Sequence, residues 1–537
     1  MAKSKKNKYF LIVILISIIL VYLYRIILTG IIGAKGVTYF SVSSEVFMLI
    51  ACSFGYGLEQ GVSFLAESYV SRQQYENSKR VLNAGMILAL ILGLVFLFIL
   101  MCFGKKITVD IFNVPLSFMP YMIMCLAVPF YIISGAVRGY LNGNENHSVV
   151  EVSYIIFAAS YIVSGSLFST LFLKYGEQVS LLLRVENYKY AYGAMGASLG
   201  FLVASLISFT HILIVCMIFR RRTVFNSGRD YSKSIESMLN LIVAVLTNSL
   251  FSIAFVFFVV FVPFINEILI LSKNGEDTSL EFTFGEWYGK AEPILVITAC
   301  VLGFFIYKSA RRSVAAMLRG ENTKARENLG IMIHRSVTIG FFVSGMILVF
   351  ADNILSILFR DNGEKTAVYL QVGAVLIFLI LFSDLFIYIL VRSSYGNLSS
   401  VIFTVSSVIH AALAFVFIKI SGLSIIGAII GNLLFFLIIS VVGYFIVARF
   451  FQYSQEWFRS FGVSVISSLV SALIIMLLNG ALLKFVTKGV AIMILLPLGI
   501  ILYMVFLLAL KGYSEEELSN SIMGRITIFI GRLFRLL

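Results

Sequence analysis

The chain has 537 residues, of which 60% are hydrophobic and only 13% charged. This excludes a water-soluble globule, because ordinary domains are about 45–50% apolar and have to wet their outer surface. Too few charges remain for a large soluble domain, and the net charge of +14 reads as a topology signal in a bilayer protein, not as a nucleic-acid footprint.

Apolar runs bounded by charges, Gly, Pro and Asn predict an all-α polytopic membrane protein. Its fourteen transmembrane helices lie near residues 9–32, 40–66, 81–103, 115–137, 149–173, 191–219, 237–265, 291–307, 335–358, 366–391, 399–418, 424–448, 461–483 and 489–510. The start MAKSKKNKYF has the charges of a signal peptide, but the apolar run behind it is too long and lacks a small-residue cleavage site, so the first span is retained with its N-terminus in the cytoplasm. Most of the 41 Lys and Arg then face the cytoplasm, concentrated at Arg220, Arg221, Arg222, Arg229 and Lys233 and at Lys308, Arg311, Arg312, Arg319, Lys324, Arg326 and Arg335. The opposite loop, around Glu267 to Glu292, is acidic. These features predict a multi-pass protein of the cell (cytoplasmic) membrane, with both termini inside and its basic loops against anionic membrane lipids. Span seven runs past Pro263, where a bend is either a gate or the point at which the helix leaves the bilayer.

Cys52, Cys102, Cys125, Cys216 and Cys300 all lie in apolar runs with no C-x-x-C pair, so neither a disulfide framework nor a thiolate metal site is expected. The chain carries no phosphate loop, no dinucleotide fingerprint and no zinc pair among His147, His211, His334 and His410. No metal, cofactor or enzymatic activity is expected. A transporter without a motor of its own is driven by an ion gradient, the membrane potential or its substrate's gradient.

The sequence repeats. YENSKRVLNAGMILALILGLVFLFILMCFGKKITVDIF, ending at Phe112, is echoed by ENTKARENLGIMIHRSVTIGFFVSGMILVFADNILSILF, ending at Phe359. VRGYLNGNENHS from Val137 is echoed by VRSSYGNLSS from Val391, and GAMGASLG from Gly193 by IIGAIIGN from Ile425. In each member of the second pair an Arg is expected at the cytoplasmic edge, where the span breaks. An even number of spans separates the copies, which predicts two parallel six-helix lobes, 1–222 and 223–460, around a central cleft that opens to either side by alternating access. Residues 461–537 add two helices and a cytoplasmic tail.

YGKAEPILVITACVLGFFIYKSARRSVAAMLRGENTKAREN, from Tyr288 to Asn328, resembles the eighth-span signature of the stage V sporulation protein B branch of the polysaccharide flippases. VRGYLNGNENHS resembles the same family's R-G-Y-x-x-G-x-x-N-x-[ST] turn, with Arg138, Gly139, Tyr140, Gly143, Asn146 and Ser148 in register, and KGYSEEELSNSIMGRI resembles its short tail. The chain is identified on these motifs as a member of the multidrug, oligosaccharidyl-lipid and polysaccharide exporter superfamily. The likeness implies two six-helix lobes with two added helices. It also implies that the protein flips a polyprenyl-diphosphate-linked saccharide, a precursor of peptidoglycan or another surface polysaccharide, from the inner to the outer leaflet. The chain departs from the family's S-Q-x-x-E-Q at the start of span five, where Ser153 is followed by Tyr154 and Phe157, and from the Asp late in span seven.

Charges inside spans are costly and mark function by default. Arg25 lies about 10 Å deep in span one at 1.5 Å per residue. Its planar fork suits a diphosphate, and an Arg late in span one of the related lipid II flippases faces the central cavity. Glu45 and Glu59, fourteen residues apart, share one stripe of span two. Glu45 is either a counter-charge to Arg25 or an ion-coupling site. Glu59 either binds substrate near the inner mouth or is solvated at a helix end. Asn248 in span seven either touches substrate or bonds a neighbouring helix. Asp384 either pairs with Arg392 or couples a cation, and Glu151 is a weaker candidate. Arg138, Gly139, Gly143 and Asn146 are assigned to the turn after span four.

The function expected is a secondary-type flippase whose partners are its lipid-linked saccharide, membrane lipids and glycan synthases, with no nucleic acid. The rivals are a cation-coupled multidrug exporter of the same superfamily and a membrane scaffold for glycan synthesis.

Overall fold

A computed structural model describes residues 2–226, 235–272, 278–359, 365–393 and 396–513, with 528, 531 and 532. Arg229 and Lys233 of the basic loop and most of the proposed tail lie outside the described residues, as do the side chains of Arg220, Arg221, Arg222 and Lys308.

The described residues form helices and no strand. In chain order they are α1 (Ala2–Phe47), α2 (Ser53–Ser71), α3 (Tyr75–Lys105), α4 (Phe118–Cys125), α5 (Val128–Gly143), α6 (His147–Leu183), α7 (Asn187–Asn226), α8 (Met238–Leu271), α9 (Thr278–Glu286), α10 (Glu292–Leu318), α11 (Asn322–Leu358), α12 (Thr366–Arg392), α13 (Gly396–Ala414), α14 (Ser424–Phe451), α15 (Val463–Leu482) and α16 (Lys488–Ala509). Helices are the form in which a chain this apolar can satisfy its backbone polar groups within each segment. Among the described residues eleven runs are long and apolar enough to cross a membrane, or twelve if the bent pair around Leu126 and Ala127 is one span.

The first run, Leu15–Ser71, is 57 residues long, about 85 Å at 1.5 Å per residue and far more than one crossing of about 30 Å. It turns back at Gly33, whose φ of 71° and ψ of 172° belong to a region that glycine reaches without steric cost. The expected single span 115–137 is two helices, α4 and α5, bent by 40°. Pro129 in the first turn of α5 lacks the N–H that would continue α4. Pro263, by contrast, lies inside an unbroken α8.

The chain divides into two compact units, Met1–Gly289 with Ser400–Ser424, and Lys290–Ser399 with Ile425–Leu537. In the first, α8 and α13 run side by side: Ser400 Oγ donates to the Phe251 carbonyl at 3.4 Å and Ser407 Oγ to the Phe258 carbonyl at 2.7 Å. In the second, the added helices α15 and α16 dock on α11. His334 meets Ser460 at 2.9 Å, Thr338 meets Ser464 at 3.2 Å, and Asn353 Nδ2 donates to Asn479 Oδ1 at 3.0 Å. The constant sequence offset of these pairs shows that α11 and α15 run parallel and in register. An apolar core of Met346, Val349, Phe350, Ala472, Ile475 and Leu495 lies among them.

Candidate substrate site in the N-terminal unit

Arg25 and Glu45 sit on opposite arms of the α1 hairpin. On a straight helix twenty residues would hold them about 30 Å apart. The turn at Gly33 instead brings Arg25 Nη2 to 3.6 Å from Glu45 Oε1, with only 13% of the Arg25 side chain and 4% of the Glu45 side chain exposed. The separation is longer than a hydrogen bond, so the pair is held by charge more than by directional bonding. Two tyrosine rings face the guanidinium carbon, Tyr288 at 4.0 Å and Tyr22 at 4.7 Å from their centroids. Ser44 Oγ shares a 2.7 Å hydrogen bond with the Tyr288 hydroxyl, and Ser41 donates to the buried carboxylate of Glu267.

Tyr288 arrives from outside the predicted spans. The acidic loop between the predicted spans seven and eight contains α9, which packs along α1 and continues into a π-helical turn at Trp287–Ala291. Such turns are frequent at functional sites. Thr38 Oγ1 donates to the Glu281 carbonyl at 2.6 Å, the Tyr39 hydroxyl to Glu281 Oε2 at 2.8 Å, and Thr29 Oγ1 to the Gly289 carbonyl at 3.1 Å. Burial pushes the Glu281 carboxyl up from its usual range, against the Tyr39 hydrogen bond and the charge of Lys35, which pull it down.

Glu59 joins a second constellation. Arg138 Nε donates to Glu59 Oε2 at 3.0 Å, Asn142 Nδ2 to Glu59 Oε1 at 3.0 Å and the Tyr154 hydroxyl to Glu59 Oε2 at 2.7 Å. The Arg138 guanidinium lies over the rings of Tyr154 at 4.7 Å and Tyr131 at 5.3 Å. Glu59 and Arg138 are each 3% exposed, so Glu59 is not solvated at a helix end. The pair forms because α5 lies against α2 through Gly135, Gly139 and Gly143, where an added Cβ would come within 2.1, 2.4 and 2.6 Å of the carbonyl oxygens of Gly55, Glu59 and Ser63. Spacing by four on one helix face is how small residues let helices touch in lipid.

Of the residues assigned to the turn after span four, only Asn146 is in it, its Nδ2 donating to the Asn144 carbonyl at 3.0 Å. Arg138, Gly139 and Gly143 lie inside α5, and Arg138 does not reach the helix edge as Arg392, exposed at the end of α12, does.

Asn248 is exposed on α8 and donates to its own helix, at the Ala244 carbonyl, 2.7 Å away. Asp384, in the other unit, is exposed on α12 between buried neighbours and forms no ion pair with Arg392. Glu151 is buried. The described residues contain no cluster of three or more His, Cys, Asp or Glu able to hold a metal ion.

The sequence reading missed Tyr288 at Arg25 with its partner Ser44, and Tyr154 and Asn142 at Glu59. The available signal for Tyr154 was its place where the family carries Gln, another side chain able to donate a hydrogen bond. Tyr288 had only its position at the head of the family motif.

Solved structures share the fold. A lipid II flippase MurJ in an inward closed conformation matches with a TM-score of 0.68 at 14% identity, covering 93% of this chain and 97% of that one. An inward-facing multidrug resistance MATE family transporter of the MOP superfamily matches with a TM-score of 0.65 at 15% identity, covering 81% and 94%. The chain thus has the fold of these polytopic membrane transporters. Residues 5–262 match the family described as "Polysaccharide biosynthesis protein". Stage V sporulation protein B of Bacillus subtilis (strain 168) is 22% identical over 520 residues, 94% of this chain and 95% of that protein.

Proposed function

We propose that the protein is a secondary-type flippase that carries a polyprenyl-diphosphate-linked saccharide from the inner to the outer leaflet of the cell membrane by alternating access. In this reading the chain has fourteen spans with both termini cytoplasmic. Two parallel six-helix lobes, 1–222 and 223–460, flank the cleft, 461–537 is an addition, and glycan synthases act beside it. The observation that carries the reading is Arg25, a planar cation within a span whose counter-charge Glu45 stands at 3.6 Å, beyond hydrogen-bond length. A diphosphate accepts two parallel N–H bonds from such a fork and so competes with the Glu45 carboxylate for it. Glu45 then restores the empty site after release, so that substrate and carboxylate alternate on one cation. Asn248, exposed on α8, offers an amide for saccharide hydroxyls, and Glu59 supports the site by fixing α5 on α2. No bond is made or broken in the cycle, which needs only differential binding in two states.

A second reading, a cation-coupled multidrug exporter, is favoured by one observation: Asp384 stands exposed on α12 among buried neighbours, where a carboxylate can take a coupling cation or a cationic drug. Purified protein in liposomes loaded with a fluorescent polyprenyl-diphosphate saccharide separates the two. Under the flippase reading wild type exchanges the lipid between leaflets, and Arg25→Ala slows exchange about 10–100-fold, the loss of charge-assisted hydrogen bonds worth about 1.5–3 kcal/mol. Wild-type vesicles that behave as empty ones, together with extrusion of a cationic dye that Asp384→Asn abolishes, would establish the exporter instead.

A further inference from the structure

We propose that α9 and the residues Trp287–Gly289 behind it form a lid, and that Tyr288 governs the access of a phosphate group to Arg25. The proposal rests on the reading of Arg25 as a diphosphate anchor and adds to it the device that covers and uncovers the anchor.

The Tyr288 ring lies 4.0 Å from the guanidinium carbon, is 3% exposed and is fixed at its far end by the 2.7 Å bond to Ser44. An anion approaching that face of Arg25 meets the ring first. Two glycines four residues apart seat the segment on both arms of the α1 hairpin: a Cβ on Gly285 would fall 1.9 Å from the Ala34 carbonyl oxygen, and one on Gly289 2.2 Å from Thr29 Oγ1. The segment also accepts hydrogen bonds from Thr29, Thr38 and Tyr39 and buries the side chains of Phe284 and Trp287.

Opening replaces each of these hydrogen bonds with one to water at little net cost, while the burial of Phe284 and Trp287 makes the closed lid the resting state. The chain leaves this compact unit directly after Gly289. Lid opening uncovers the cation for the anion, and lid closure restores the ring and Glu45 as its company.

The test uses purified full-length protein and phenylglyoxal, an arginine-directed reagent, at one fixed pH, with modification of each arginine mapped by mass spectrometry. Arg138, 3% exposed, stays unmodified in folded protein and serves as the internal control. Tyr288→Ala should raise the rate at Arg25 about tenfold, and Tyr288→Phe, which loses only the bond to Ser44, should raise it less. In a second variant, Thr29→Cys with Gly289→Cys, the new Cβ lies 3.2 Å from the Thr29 Cβ, close to the roughly 3.5–4.5 Å of a disulfide. Oxidation should suppress modification of Arg25 and reduction should restore it, while each single Cys variant is indifferent to oxidant. Equal Arg25 rates in wild type and in Tyr288→Ala, with Arg138 protected, overturn the lid, as does a cross-linked protein that is modified as fast as the reduced one. Inorganic pyrophosphate tests the underlying reading separately. If Tyr288→Ala uncovers Arg25 but pyrophosphate gives no protection, the lid stands and the diphosphate anchor falls.

Discussion

Arg138 and Glu59 are joined by a 3.0 Å charged hydrogen bond between α5 and α2, with each residue 3% exposed. Removing one partner leaves a buried charge uncompensated, which costs about 3–5 kcal/mol. Arg138→Met and Glu59→Leu should each lower the apparent melting temperature of the protein in detergent. The double variant, which has no charge left to bury, should be more stable than either single one. A double variant as unstable as the sum of the singles would mean that the two residues do not act as a pair.

The close seat of α5 on α2 makes Gly139 sensitive to a single methyl. Its Cβ would lie 2.4 Å from the Glu59 carbonyl oxygen, a backbone atom that moves only with its helix, so Gly139→Ala should destabilise by about 1–3 kcal/mol through overpacking. At Gly30 no atom lies within 4 Å of a built Cβ, and Gly30→Ala should be neutral or stabilising by up to about 1 kcal/mol. Thermal unfolding of the two variants side by side checks the contrast.

Acid should favour the closed lid. Burial raises the Glu281 carboxyl above its usual 4.5 while α9 is seated, and in an open lid the group returns towards that ordinary value. A group whose pKa is higher in the closed state binds its proton more tightly there, so closure gains below the ordinary value and loses that gain as pH rises through the raised one. The ratio of Arg25 modification in wild type to that in Glu281→Gln cancels the reagent's own pH dependence. It should rise with pH across the interval above 4.5, and a flat ratio would remove Glu281 from the control of the lid.

The added helices are fastened by polar contacts that can be cut one at a time. Asn353→Leu leaves the Asn479 carboxamide buried without its 3.0 Å donor and should cost about 0.6–2 kcal/mol, the range of interhelical hydrogen bonds in lipid. Asn353→Leu with Asn479→Leu should recover part of that loss. Protease sensitivity of the link between α14 and α15, measured at equal detergent, reads the loosening directly.

The sequence by itself determined that this is a helical membrane protein and where most of its long apolar helices lie, because a helix that satisfies its own backbone hydrogen bonds in lipid shows as an apolar run of the right length. It also singled out Arg25 and Glu45, since a charge inside such a run is conspicuous without any knowledge of its neighbours. It also placed the break between spans one and two, which falls at Gly33, but not the bend before Pro129, which lies inside the single expected span 115–137 although its missing N–H is a local fact. Partners were another matter. Helical periodicity tells which residues share a face but not which face of another helix they meet, so Arg138 read as an edge residue until the glycines of α5 brought it to Glu59 and Tyr154. Tyr288 lay in a loop by every hydropathy criterion. Only the tertiary structure, in which α9 folds onto a hairpin some 250 residues earlier in the chain, decided that its ring would lie over Arg25, because a contact between segments so distant leaves no pattern in the local sequence of either one.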